Sequence, residues 1–235
     1  MGINYAQGAN LSWAATGSKQ VPVVGQEEKR AFTLVVSVSA DGTLLPFQAV
    51  FRGKSVISCP NANAPRYTDT NEAGFKFVFS ATENHWSTLE TMRRFVEEVL
   101  VPYFEAKRKV KGYPDDLKAI WVIDCWSVHR PEEFRRWMAE NHPNIILIYI
   151  PANCTGIFQP CDVGMQRPLK PLLKRFSLED VVDEVSKAFE RDDIESDKVR
   201  LEVGIKLFRE RSVRWMFESY SLLNKTKVIE KVQFF

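Results

Sequence analysis

From Phe32 onward the apolar positions alternate. Phe32, Leu34, Val36 and Val38 fall on one side and Thr33, Val35, Ser37 and Ser39 on the other, the period of a strand with one face in a core. Asp41-Gly42 then separates this run from TLLPFQAVF, and Asp-Gly between two β-rich segments predicts a hairpin. Pro60 to Asn71, rich in Asn, Pro and Thr, predicts an exposed loop, and FKFVFS a further short strand. Between Ser87 and Phe104, Leu89, Met92, Phe95, Val96, Val99 and Leu100 recur at helical spacing. AIWVID is an uninterrupted apolar run ending in Asp124, as expected of a strand buried on both faces. Pro131 sits where a helix would open, EEFRRWMAE continues it, and IILIYIP is a second buried strand. Strand, helix, strand implies a crossover unit in an α/β fold. Ser177, with Asp180 three residues on, predicts the capped start of a helix carrying Leu178, Val181, Val182, Val185 and Phe189. A charged link, Glu190 to Lys198, leads to a last amphipathic stretch containing Leu207, Phe208, Trp215, Met216 and Tyr220.

Composition narrows the class. An apolar fraction of 45% over 235 residues suits an ordinary globular chain, large enough for a sizeable core. No apolar run approaches the roughly 20 residues of a membrane span, and MGINYAQGAN lacks the features of a signal peptide. Met1-Gly2 begins like a myristoylation signal, but Ala6 stands where Ser or Thr is needed. The expectation is a soluble intracellular chain. Cys59, Cys125, Cys154 and Cys161 lack the paired spacing of a zinc site and read as reduced thiols. The net charge of +2 conceals two basic runs, Lys107, Arg108, Lys109 and Lys111, then Arg167, Lys170, Lys174 and Arg175. Both are compatible with a solvated surface or with an anionic partner such as nucleic acid.

Two residues carry the candidate chemistry. Asp124 ends a buried strand and Asp162 follows the next strand after a short loop. Functional groups in α/β sheets gather at the carboxyl ends of strands, so the two could converge on one ion. The plainer alternative is that each caps the helix after it, and spacing alone does not decide.

The flanking residues add a resemblance. VIDCWSVH followed by YIPANCTGIFQPCDVGMQRPLK resembles the DDE superfamily of transposase endonucleases, in its pogo/Tc1-mariner-like group with three aspartates. Asp124 with His129 five residues on matches the second acid's motif. Pro151, Thr155, Gln159, Pro160 and Asp162 match the third. TGSKQVPVVGQEEKRAFTLVVSVSADGTLLPFQAVFRGK resembles the family's first hairpin region, so the likeness runs from about Gly2 to about Tyr220.

The resemblance implies an RNase H-like α/β fold, a mixed sheet flanked by helices with a C-terminal helical extension. It would comprise a core over 1–176 and a helical segment over 177–235 packed on it. It implies a DNA endonuclease or transposase of nuclear location, with Asp124 and Asp162 as catalytic residues and ligands of Mg²⁺ or Mn²⁺, two ions being expected. His129, Gln159, Arg167 and Lys170 would support the carboxylates or contact phosphate. The partner is DNA, with homo-oligomerisation open and no membrane. The family's first acid lies in a D-[EQ]-T-G motif. Here Gly2 matches the glycine of that motif and Ile3-Asn4 the two residues after it, which places the acid ahead of Met1. Impaired catalysis is therefore expected. Glu83 is the best substitute acid, ahead of Asp41 and Asp69. A non-catalytic nucleic-acid-binding or interaction module is the alternative, and a genomic remnant a third. Cys125 and Cys161 are expected to point away from the site, and Trp121, Trp126 and Trp137 to lie in the core.

Overall fold

The computed structural model describes residues 1–5, 30–190 and 201–225. The start of the first hairpin region (16–29) and most of the charged link (191–198) lie outside them. The fold is mixed α/β. Strands β1 (Gly2–Asn4), β2 (Ala31–Val35), β3 (Gln48–Phe51) and β4 (Lys76–Phe79) form one sheet in that order. β1 and β3 run antiparallel to β2, and β4 runs parallel to β3. The predicted hairpin is present: Val38 bridges Leu44, and Gly42 adopts φ 81°, a conformation costly for side chains with a Cβ. Helix α1 (Tyr67–Glu72) lies within the segment expected to be a loop. Its turns are held by backbone bonds such as Phe75 N–H to the Thr70 carbonyl, with Thr70 buried.

Helix α2 (Leu89–Phe95) opens on a Thr88/Thr91 capping box. It passes through a π turn at Val96–Leu100 into α3 (Val101–Lys111), which Gly112 ends in the left-handed conformation. β5 (Ala119–Ile123), α4 (Glu132–Asn141) and β6 (Ile145–Tyr149) form the expected crossover, with β5 and β6 parallel in a second, two-stranded sheet. The expectation that both strands are buried on two faces fails. Trp121 and Ile123 lie under α2 and α4, while Ile120 and Val122 are 58% and 44% exposed and Ile146 and Ile148 similarly so. A continuous apolar run cannot report that one face is left uncovered.

A short helix, α5 (Thr155–Phe158), and a π turn at Cys161–Met165 lead into α6 (Gln166–Phe189). α6 therefore begins well before Ser177, whose hydroxyl donates to the Lys174 carbonyl inside the helix instead of capping its start. α7 (Ile205–Leu223) packs along α6. Asp180 of α6 accepts from Arg214 Nη2 at 2.7 Å and Trp215 Nε1 at 2.5 Å. The described residues form two apolar cores. One joins the four-stranded sheet to α6 and α7, and the other joins β5 to α2, the π turn and α4. No described helix is long and apolar enough to cross a membrane.

Candidate functional site

Asp124 emerges at the carboxyl end of β5, where Ile123 still bonds to the neighbouring strand through Ile150 N–H. Its Oδ1 accepts the Trp126 amide at 3.3 Å and meets His129 Nδ1 at 2.8 Å. Nδ1 also lies 3.2 Å from the Asp124 carbonyl. Two acceptors around one ring nitrogen require that nitrogen to carry the proton, so the neutral ring leaves Nε2 bare, and Nε2 is buried without a partner among the described residues. The ring is wedged among Trp121, Trp126 and Phe134, with centroids 6.1, 5.9 and 6.1 Å away. The His129 carbonyl accepts Tyr149 Oη at 2.8 Å, which ties the turn to β6. Burial pushes the Asp124 carboxyl up, but His129 and the Trp126 amide outweigh it and hold the group below the usual aspartate range.

Asp162 reaches the same space from the π turn ahead of α6. Its amide donates to the Gln159 carbonyl at 3.0 Å, and Gln166 Nε2 donates to its Oδ1. Burial and then repulsion from Asp124 push its carboxyl up, against the Met1 ammonium, Lys170 and Gln166. The two carboxylates thus sense each other. The Met1 ammonium, its own pKa lowered by burial, is attracted to both. Met1, Asp124, His129, Gln159, Asp162 and Gln166 line the polar end of a cavity of about 500 Å³.

Of the residues singled out in the sequence, Asp124, Asp162, His129 and Gln159 come together here, and Lys170 acts on Asp162 through its charge. Arg167 is exposed and makes no bond to either carboxylate. The candidate substitute acids lie elsewhere. Glu83 is bound by Lys54 Nζ at 2.8 Å and Arg52 Nη2 at 3.4 Å, Asp69 pairs with Arg66, and Asp41 is held at the hairpin tip by Lys107 at 2.6 Å. Trp121 is core and lines the cavity together with Trp126, and Trp137 stacks on Phe134 and Arg93. The Cys125 and Cys161 thiols donate to the Ile150 and Val36 carbonyls. Gln166 escapes sequence reasoning, although its place one helical turn after Asp162 is the signal that could have found it.

Among the described residues no three His, Cys, Asp or Glu side chains cluster as a metal site. Among the described residues, Asp124 and Asp162 use Oδ1 for hydrogen bonds and leave Oδ2 without one. Two hard oxygens aimed at one cavity fit Mg²⁺ or Mn²⁺ as part of an octahedral set, the rest falling to water or further ligands. A second cleft, of about 580 Å³, lies at the other end of β1. Tyr5, Arg52, Lys54 and Arg209 line it, with Glu83 the acid among its lining residues.

The family model described as "DDE superfamily endonuclease" matches residues 28–207. The mouse Jerky protein is 24% identical over 144 residues, 56% of this chain and 25% of its own length. The human Jerky protein homolog is 24% identical over 123 residues, 48% of this chain and 21% of its own. The human pogo transposable element with ZNF domain is 26% identical over 142 residues, 60% of this chain and 8% of its own. The chain thus spans a quarter or less of the curated relatives it matches. No solved structure matches it significantly. With the family model covering most of its length, and Asp124 and Asp162 within the match, this chain belongs to the DDE superfamily endonuclease family.

Proposed function

We propose that this chain is an RNase H-like endonuclease core derived from a transposase, acting on the phosphodiester backbone of DNA in the nucleus, with Asp124 and Asp162 as its metal-holding residues. The observation that carries the reading is their convergence: two carboxylates from separate elements share one cavity, repel each other and each keep an oxygen open. A bound Mg²⁺ or Mn²⁺ would supply a Lewis acid that activates the attacking hydroxyl and steadies the leaving oxygen. His129 fixes the Asp124 carboxylate and keeps it ionised, and Gln166 orients Asp162. Lys170 and the cleft at Arg52, Lys54 and Arg209 offer positive charge to a phosphate backbone. Met1 and Tyr5, four residues apart on an extended segment, put roughly 13 Å between the two sites, about four nucleotides of rise along a strand.

Two carboxylates are a partial ligand set, so weak cleavage is expected from the chain alone. The test is nicking of supercoiled plasmid with Mn²⁺, beside Asp162→Asn. Nicking that the variant abolishes supports the reading, whereas equal nicking by both proteins sinks it. A non-catalytic DNA-binding role is the second reading, favoured because no third acid joins Asp124 and Asp162 among the described residues. Salt-sensitive DNA binding with no metal-dependent nicking would select it.

A further inference from the structure

We infer that the cleft lined by Arg52, Lys54 and Arg209 is a phosphate-binding pocket whose mouth is occupied by Glu83, the carboxylate holding Lys54 and Arg52 until a phosphate group takes its place. With DNA as the source of the phosphate the pocket rests on the function proposed above, whereas its capacity for phosphate does not.

Charge and shape both favour an oxyanion. Arg30, Arg52, Lys54 and Arg209 line a cleft of about 580 Å³, and Glu83 is the sole acid among its lining residues. Tyr5, Ser58 and Thr82 add hydroxyls to the same lining. Burial raises Tyr5 above the usual phenol range, against the pull of Arg209 and Arg30, so its hydroxyl stays neutral and can donate. Arg209 spends Nη2 on the Arg52 carbonyl at 3.0 Å, while its Nε is buried and has no partner among the described residues. A buried donor without an acceptor is uncommon, and an anion's oxygen would supply one. Guanidinium groups, an ammonium and hydroxyls around one cleft match the several acceptor oxygens of a phosphate better than the two of a carboxylate.

Glu83 is built into its position. Ser80 N–H donates to the Phe51 carbonyl at 2.9 Å, which continues the pairing of β3 with β4 and sets the two following loops side by side. The loop after β4 is closed by Ser80 Oγ on the Asn84 carbonyl at 2.6 Å, with Ala81 at φ 57°, a conformation costly for alanine. Across from it, Gly53 turns at φ 148° so close to Ser58 that a Cβ would stand 1.8 Å from Oγ, and Arg52 and Lys54 flank that turn. Strained backbone on both loops persists because the surrounding bonds hold it. Lys54 Nζ at 2.8 Å and Arg52 Nη2 at 3.4 Å keep the Glu83 carboxyl below the usual glutamate range, so it is ionised and competes with an incoming anion. Displacement is easy, because Lys54 and Glu83 are 74% and 73% exposed at their side chains and water screens such a pair strongly. A phosphate brings more charge and more acceptors than one carboxylate into a cleft that Arg30 and Arg209 also line.

The test titrates the full chain without metal, in EDTA, so that a failed nuclease reading leaves the result intact. Isothermal titration with inorganic phosphate compares the natural chain with Glu83→Gln, and Glu140→Gln on α4, outside the cleft, controls for net charge. Glu83→Gln should bind phosphate about 3–5-fold more tightly, the scale of one exposed ion pair removed, with Tm within ~2 °C of the natural chain. Glu140→Gln should leave the affinity unchanged. Lys54→Gln should weaken binding, and in that background the gain from Glu83→Gln should fall by at least about half. Fluorescence anisotropy then compares a short single strand of DNA carrying a 5′-phosphate with the same strand ending in a hydroxyl. Preference for the phosphorylated strand assigns the pocket to strand ends, and equal binding that Glu83→Gln strengthens for both assigns it to backbone phosphates. Phosphate binding with neither strand bound keeps the pocket and removes DNA as its source. No gain from Glu83→Gln on any probe, or an equal gain from Glu140→Gln, would overturn the inference.

Discussion

Replacing Asp180 by alanine should unfasten α6 from α7, and the structure sets the size of the loss. The carboxylate accepts from Trp215 Nε1 at 2.5 Å and from Arg214 Nη2 at 2.7 Å, with Asp180 15% exposed at its side chain and Trp215 2% exposed overall. Alanine leaves the buried indole N–H without an acceptor, which costs about 1–3 kcal/mol. Arg214 keeps the Phe176 carbonyl at 3.0 Å and Glu179 at 3.5 Å, and its guanidinium is a quarter exposed, so its lost bond adds only ~1 kcal/mol. The sum, about 2–4 kcal/mol, lowers Tm by roughly 5–12 °C in a chain of this size. Asp180→Asn keeps an acceptor for the indole and should lose about half as much. Trp215→Phe removes the donor, and the double-mutant cycle with Asp180→Ala should show a coupling of ~1 kcal/mol or more. Urea denaturation with a constant m-value is the assay. A loss below ~0.5 kcal/mol for Asp180→Ala, or strict additivity in the cycle, would refute the reasoning.

The other predictions concern the hairpin tip, the second core and the thiols. Burial pushes the Asp41 carboxyl up, but Lys107, Ser39 and Thr43 outweigh it and hold the group well below the usual range. Its bonds therefore stabilise the fold above the unfolded value near 3.8, and that contribution fades as pH falls towards the folded value. The group is nearly half exposed at its side chain. Asp41→Asn should accordingly cost no more than ~1 kcal/mol at pH 7, with a difference that shrinks between pH 5 and pH 2 in parallel urea titrations. Phe134 is fully buried between Trp121, Trp137 and His129, so Phe134→Ala should cost about 3–5 kcal/mol by the same assay and loosen the turn that holds Asp124. Burial raises the Cys59 and Cys161 thiols to about 11. Both should resist iodoacetamide at pH 7.5 in the native chain and react in denaturant, as read by peptide mass spectrometry.

By itself the sequence determined the elements whose cause is local. Alternation from Phe32, the Asp41-Gly42 turn, the helical spacing after Ser87 and the crossover from Ala119 to Tyr149 all recur in the fold, because each depends on side chains a few residues apart. It also placed Asp124 at a strand end and Asp162 after the next strand, with His129 and Gln159 beside them. Tertiary structure decided whatever depends on distant neighbours. Which face of β5 and β6 is covered follows from where α2 and α4 pack, so Ile120 and Ile148 are exposed although their sequence reads as core. The start of α6 follows from the π turn at Cys161–Met165 and overrides the cap-like Ser177. Glu83 belongs to Arg52 and Lys54 because the ends of β3 and β4 lie side by side, an arrangement no spacing along the chain reveals. The proton on His129 Nδ1 likewise depends on two acceptors that only the folded turn brings to one nitrogen.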